Sequence, residues 1–129
     1  FFLDKTAFLH YIVYMYKYAD MKGRGFGFGD ARTMVFKALA CEHRVSIIEI
    51  LRYGEQSVSE IASFLAIHPS VVSRHLAILQ AAGLVMSRKL GVEVYYKLSS
   101  EEVLSLLEDA RSIVEVRMES KGFSHKGER

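Results

Sequence analysis

Residues 57–83 read SVSEIASFLAIHPSVVSRHLAILQAAG, and the fold is decided there. Val58, Ile61, Ala62 and Leu65 recur at the spacing of one helix face, so a short helix is predicted over residues 57–66. His68-Pro69 marks the next start, because proline is tolerated at the first helical position, where its missing N–H has no partner inside the helix anyway. From Pro69 to about Ala82, Val72, Leu76 and Leu79 turn inward, Ser70, Ser73, Arg74 and Ala77 turn to solvent, and Gly83 ends the helix. A short helix, a tight turn and a second helix with a small, polar and basic outer face is a helix-turn-helix, whose second helix fits a major groove.

Downstream, two extended runs are predicted, Leu84 to Lys89 and Val92 to Leu98, with Val94, Tyr96 and Leu98 on one face and Glu93, Tyr95 and Lys97 on the other. Leu90-Gly91 is the expected hairpin turn, with glycine at its second position supplying a positive φ. A final helix is predicted from Ser99 or Ser100, with the serines as caps, glutamates in its first turn and an apolar stripe of Val103, Leu106, Leu107, Ala110, Ile113 and Val114. That stripe requires burial. A polar, flexible tail is expected over residues 120–129.

Upstream, Asp30 is a good N-cap for a helix over about Ala31 to Ala40, with Met34, Val35 and Leu39 on one face. A second helix follows, with Val45, Ile48, Ile50 and Leu51 as its apolar face and Gly54 in the C′ position. The segment 23–29 has four glycines in seven positions and reads as a linker, because glycine at that density loses too much backbone entropy to stay helical. Neither a preceding strand nor a following lysine-serine or lysine-threonine pair supports a phosphate loop there. Residues 1–22 carry aromatic and apolar groups at helical spacing, among them Phe8, Ile12 and Tyr16; an amphipathic helix at a dimer interface is favoured over an aromatic pocket built from Tyr11, Tyr14, Tyr16 and Tyr18.

The chain has 129 residues, one domain's worth, and 50% apolar with 25% charged residues is the balance of a packed globular protein. One cysteine builds no intrachain disulfide framework, and no cleavable leader is evident, so a reducing cytoplasm is the expected location. The apolar run from Phe8 to Tyr18 falls short of the roughly 20 residues of a bilayer span, so no membrane association is expected. Net charge is only +2, but it is uneven: −2 over residues 42–67, +3 over 68–98 and −4 over 99–119. The basic block coincides with the second helix of the motif and the hairpin.

Together these elements predict a mostly α winged helix-turn-helix with a β-hairpin wing, spanning residues 30–119. Ser70, Ser73 and Arg74 are the candidate base contacts; His75 and the wing cations Arg88, Lys89 and Lys97 are the candidate backbone contacts. His75 lies beside inward-facing Leu76, which also suits a half-buried helix residue. Cys41 and His43 are the candidate effector or redox residues, although a lone cysteine at a helix junction commonly packs as a small apolar group.

Phe36-Lys37-Ala38-Leu39-Ala40 running into His43-Arg44-Val45, Ser57 to Leu65, Val72-Ser73-Arg74-His75-Leu76 through Ala82-Gly83-Leu84-Val85, and Val94-Tyr95-Tyr96-Lys97-Leu98 follow one another in a set order and spacing. On these residues the chain resembles the ArsR/SmtB metalloregulators over roughly residues 31–116. The resemblance implies a homodimer that binds double-stranded DNA at a palindromic operator as a repressor and is released by an effector. It also implies two metal positions that this chain does not furnish. Ser57 and Ser59 stand where arsenic and lead sensors carry a Cys-Val-Cys pair, and Ser100, Glu102, Ile113 and Val116 stand where zinc sensors carry aspartate and histidines. Hydroxyls bind soft metals poorly and one carboxylate does not make a tetrahedral site, so neither a metal nor a cofactor is expected at these positions. A start at Met21 would give 109 residues, a common size in that family, leaving the first twenty as an extra dimer helix or an untranslated extension.

Three rival functions fit parts of the same sequence. Cys41 could signal a redox or metal change, or the winged helix could serve protein contacts only. An enzyme is the third; Cys41 and His43 are a thiol and an imidazole close in sequence, and two positions apart they diverge on a helix, so no catalytic residue is assigned.

Overall fold

A computed structural model describes residues 30–120; the expectations for residues 1–22, 23–29 and 121–129 lie outside the described residues. The described elements run α1 (Ala31–Leu39), α2 (Glu42–Leu51), β1 (Gln56–Ser57), α3 (Val58–Leu65), α4 (Pro69–Ala81), β2 (Val85–Leu90), β3 (Glu93–Leu98) and α5 (Glu102–Ser120). Asp30 caps α1 as expected, accepting from the Arg32 N–H at 3.0 Å; its carboxyl is lowered to about 2 by hydrogen bonds from the Arg32 side chain and backbone.

The helix-turn-helix is α3, a turn and α4. Ser57 starts α3 through a reciprocal capping box: its hydroxyl accepts from the Glu60 N–H at 3.1 Å and the Glu60 carboxylate accepts from the Ser57 N–H at 2.8 Å. Ser57 therefore stands outside the helix, not within its first turn, and with Gln56 it forms the two-residue strand β1, which periodicity did not reveal because two residues carry no period. β1 joins the edge of the hairpin in an antiparallel sheet of order β1-β3-β2, with Gln56 opposite Tyr96 and Ser57 opposite Tyr95.

The hairpin closes one residue later than expected. Leu90 pairs with Glu93, so Gly91-Val92 is the two-residue turn; Gly91 takes the first turn position with φ +66°, where a II′ turn needs glycine. Val94 and Tyr96 are buried and Leu98 is partly buried on the core face, as the alternation predicts.

The core joins Ile47, Ile48 and Leu51 of α2, Ile61 and Ala62 of α3, Val72, Leu76 and Leu79 of α4, and Leu84, Val85, Val94 and Tyr96 of the hairpin, with Ala38 and Val103 closing it. Ile47, absent from the predicted apolar face of α2, is fully buried, whereas Val45 and Ile50 are only half-buried. That helix packs against α1, α4 and β3 together, so its buried side is wider than the sequence pattern indicated.

Two expectations for α5 are corrected. Ser99 does not cap it; its hydroxyl donates to the Gly83 carbonyl at 2.7 Å, tying the hairpin exit to the end of α4. The predicted stripe is buried only at its start: Val103 is buried and Leu107 packs against the core, while Ile113 and Val114 are 69% and 54% exposed. Arg52 anchors the first half of α5 to α2, donating to Glu49 and Glu108 at 3.0 Å each. Ser120, expected in the tail, is the last residue of this helix. Among the described residues no single helix is long and apolar enough to cross a membrane.

Candidate nucleic-acid interface

The site begins with the turn that aims α4. Ala66 caps α3 in the left-handed region, φ 58° and ψ 42°, and reverses the chain so that α4 leaves at a steep angle. His68 is the N-cap of α4, a role sequence reading missed although its place directly before Pro69 was the available signal. Its Nδ1 accepts from the Ser70 N–H at 3.1 Å and lies 2.9 Å from the Ser70 hydroxyl. An Nδ1 that accepts leaves the ring proton on Nε2 in the neutral form.

Burial of Val72, Leu76 and Leu79 sets which side of α4 is presented. Ser70 and Arg74 are exposed and Ser73 is half-buried at the edge of the same surface. The Ser70 hydroxyl is engaged with His68, whereas Arg74 has no hydrogen-bond or ion-pair partner among the described residues. His75 points elsewhere. Its half-buried ring meets Arg44 at 3.2 Å through Nδ1 and packs edge-on against His43 with centroids 5.5 Å apart. Burial first, then the charges of Arg44, His43 and Arg74, hold its pKa below the ordinary imidazole value.

The three predicted wing cations do not form one cluster. Residues opposite each other in an antiparallel pair share a face, so Lys89, opposite Val94, lies on the face of Ser87 and Tyr96, whereas Arg88 and Lys97 lie on the other with Tyr95 and Met86. The first face is the side of α4, since Gln80 of α4 donates to the Ser87 hydroxyl at 3.2 Å. Arg88 donates to both Glu55 oxygens, at 2.7 and 2.9 Å, with its guanidinium carbon 5.6 Å from the centre of the Tyr95 ring. The hydrogen bond from Arg88 holds the Glu55 carboxyl below its usual range and the same contact raises Arg88.

Comparison with known proteins matches residues 41–87 to the model of bacterial regulatory proteins of the arsR family. The transcriptional activator HlyU of Vibrio cholerae is 43% identical over 75 residues, 58% of this chain and 69% of that protein. The chain belongs to the arsR family. The transcriptional repressor SmtB of Mycobacterium tuberculosis is 36% identical over 81 residues, 63% of this chain and 60% of that protein. Among solved structures, HlyU from Vibrio cholerae has a TM-score of 0.59 at 38% identity, covering 66% of this chain and 92% of that one. A homodimeric winged helix-turn-helix DNA-binding domain from Mycobacterium bovis, a possible ArsR-family regulator, has a TM-score of 0.64 at 31% identity, covering 70% and 84%.

The arsR family is one of transcription regulators, not of enzymes. In this arsR-family chain Ser57 is buried with its hydroxyl committed to the capping box, and Ser59 is exposed on α3. Cys41 is half-buried at the N-cap of α2 without a side-chain capping bond, and His43 is exposed in the first turn of that helix. Among the described residues, no three His, Cys, Asp or Glu side chains come together in a way that could hold a metal ion.

Proposed function

We propose that this chain is a homodimeric repressor that binds a palindromic operator in double-stranded DNA and leaves it when an effector binds. The observation that carries the reading is the outer surface of α4, where Arg74 stands exposed and without a hydrogen-bond or ion-pair partner among the described residues, beside Ser70 and Ser73. A guanidinium in that state is suited to the paired acceptors of a guanine edge, with the serines reading or positioning beside it. Lys89 and Lys97 supply phosphate contacts from the wing, and Lys89 lies on the side of α4.

The dimer is supported by the outer half of α5, whose Ile113 and Val114 are exposed although they continue the stripe that begins in the core. Burial against a second copy is the simplest way to remove such a surface from water. A two-fold axis there would present two α4 helices to half-sites about 34 Å apart. The relatives include one named an activator and one named a repressor; repression is favoured here because a dimer clamped over adjacent major grooves excludes other proteins from that DNA. Cys41 and His43, at the junction of α1 and α2, are the sulfur and imidazole through which an effector or oxidant would act.

The test selects bound sequences from a random duplex library, then measures mass by light scattering and transcription from a promoter carrying the selected site. A palindromic consensus, a dimer mass and reduced transcription are expected. A monomer that enriches no sequence overturns the reading in favour of a winged helix used for protein contacts.

A further inference from the structure

The outer face of the wing carries an acid where DNA binding would favour only cations. Glu55 directly precedes β1, and continuing the Gln56–Tyr96 and Ser57–Tyr95 register places it level with Lys97 on β3. Arg88, opposite Tyr95 on β2, reaches across that tyrosine to meet both Glu55 oxygens at 2.7 and 2.9 Å. One carboxylate thus sits among both cations of this face, held by Arg88 in a two-pronged pair and close enough to Lys97 for Lys97 also to stabilise its charge. Lys89 lies on the opposite face.

Building on the DNA-binding reading, we infer that Glu55 holds Arg88 off the phosphate backbone and so sets how much of the chain's DNA affinity is independent of sequence. Two features make the contact persistent. A planar guanidinium matches a carboxylate with two parallel hydrogen bonds, and the Tyr95 ring restricts its swing. Arg88 is therefore a silent cation in the wild-type chain, one that loss of the Glu55 charge would release to phosphate. Each phosphate neutralised by a released cation expels counterions and steepens the fall of affinity with salt by about one unit of logarithmic slope. Glu55 favours specificity by limiting this term, since phosphate contacts strengthen all sequences alike.

The experiment measures binding of the full chain to a mixed-sequence duplex of about 30 base pairs and to the library-selected duplex, from about 50 to about 200 mM salt. Wild type, Glu55→Gln, Arg88→Ala and the double variant are compared. Glu55→Gln keeps the size of the side chain and removes its charge, and because the Arg88 pair is largely exposed it contributes little to stability, so thermal unfolding should stay close to wild type. The expected result is a slope steeper by about one unit and several-fold tighter mixed-sequence binding in Glu55→Gln. Arg88→Ala should leave the wild-type slope unchanged but return the Glu55→Gln slope to the wild-type value. An Arg88→Ala variant whose slope drops by about one unit in the wild-type background would overturn the inference, as would a Glu55→Gln slope equal to wild type. A wild-type chain that binds neither duplex would overturn the DNA-binding reading itself, and this inference with it.

Discussion

Arg44 of α2 and His75 of α4 are joined by a 3.2 Å hydrogen bond from Nη1 to Nδ1, and the same guanidinium donates from Nε to the Ala38 carbonyl at 2.6 Å. One side chain therefore ties the end of α1 to the middle of α4. Arginine only donates, so His75 must accept through an unprotonated Nδ1. A proton there would break the bond and set two cations against each other.

This makes the stability of the chain sensitive to acid through His75. Its folded pKa is lowered from 6.5 by burial and then by Arg44, His43 and Arg74, so the unfolded chain binds the proton more readily. The contribution is fully present above 6.5 and is lost as pH falls through the lowered folded value. Urea unfolding from neutral to mildly acid pH should show a steeper loss in wild type than in His75→Gln. Equal pH profiles would remove His75 from the account.

At the turn of the motif, Ala66 holds a left-handed backbone that costs an L-residue about 1 to 2 kcal/mol. Its side chain is exposed, so little packing is lost without it. Ala66→Gly should raise stability by about 0.5 kcal/mol, the strain relieved less the extra entropy of an unfolded glycine. A lower urea midpoint would show that Ala66 is not strained.

On the proposed DNA-binding surface, Arg74 and Lys89 should behave differently. Arg74→Ala should cost about 1 to 3 kcal/mol at the selected operator and relax the preference at one base position. Lys89→Ala should weaken all sequences alike and flatten the salt slope by about one unit. Operator binding unchanged by Arg74→Ala would mean that another face of α4 reads the bases.

Release of the operator by zinc, cadmium, nickel or arsenite is not expected through Ser57 and Ser59 or through the positions 100, 102, 113 and 116, which offer a single carboxylate. Operator binding measured with each metal and with peroxide, on wild type and Cys41→Ser, checks this. Metal-driven release that persists in Cys41→Ser would reveal a metal site elsewhere in the chain, and peroxide-driven release lost in Cys41→Ser would place the signal at that thiol.

The amino-acid sequence by itself determined the motif and its inward side. Val72, Leu76 and Leu79 at helical spacing and the alternation of Val94 and Tyr96 are local patterns, legible because burying an apolar face is a requirement of the element itself, and Pro69 marks a helix start because it lacks an N–H. Tertiary structure decided what depends on a distant neighbour. Ile47 is buried because α2 packs against α1, α4 and β3 at once, β1 exists only as a partner for β3, and the turn lies at Gly91-Val92 because pairing of Leu90 with Glu93 sets the register. The same holds for the candidate site: sequence reading found its cations, but Glu55, 33 positions before Arg88, and Arg44, 31 before His75, come into contact only when the sheet closes and the helices pack. Charge and spacing identify which groups are available, but only packing brings distant partners within hydrogen-bond distance.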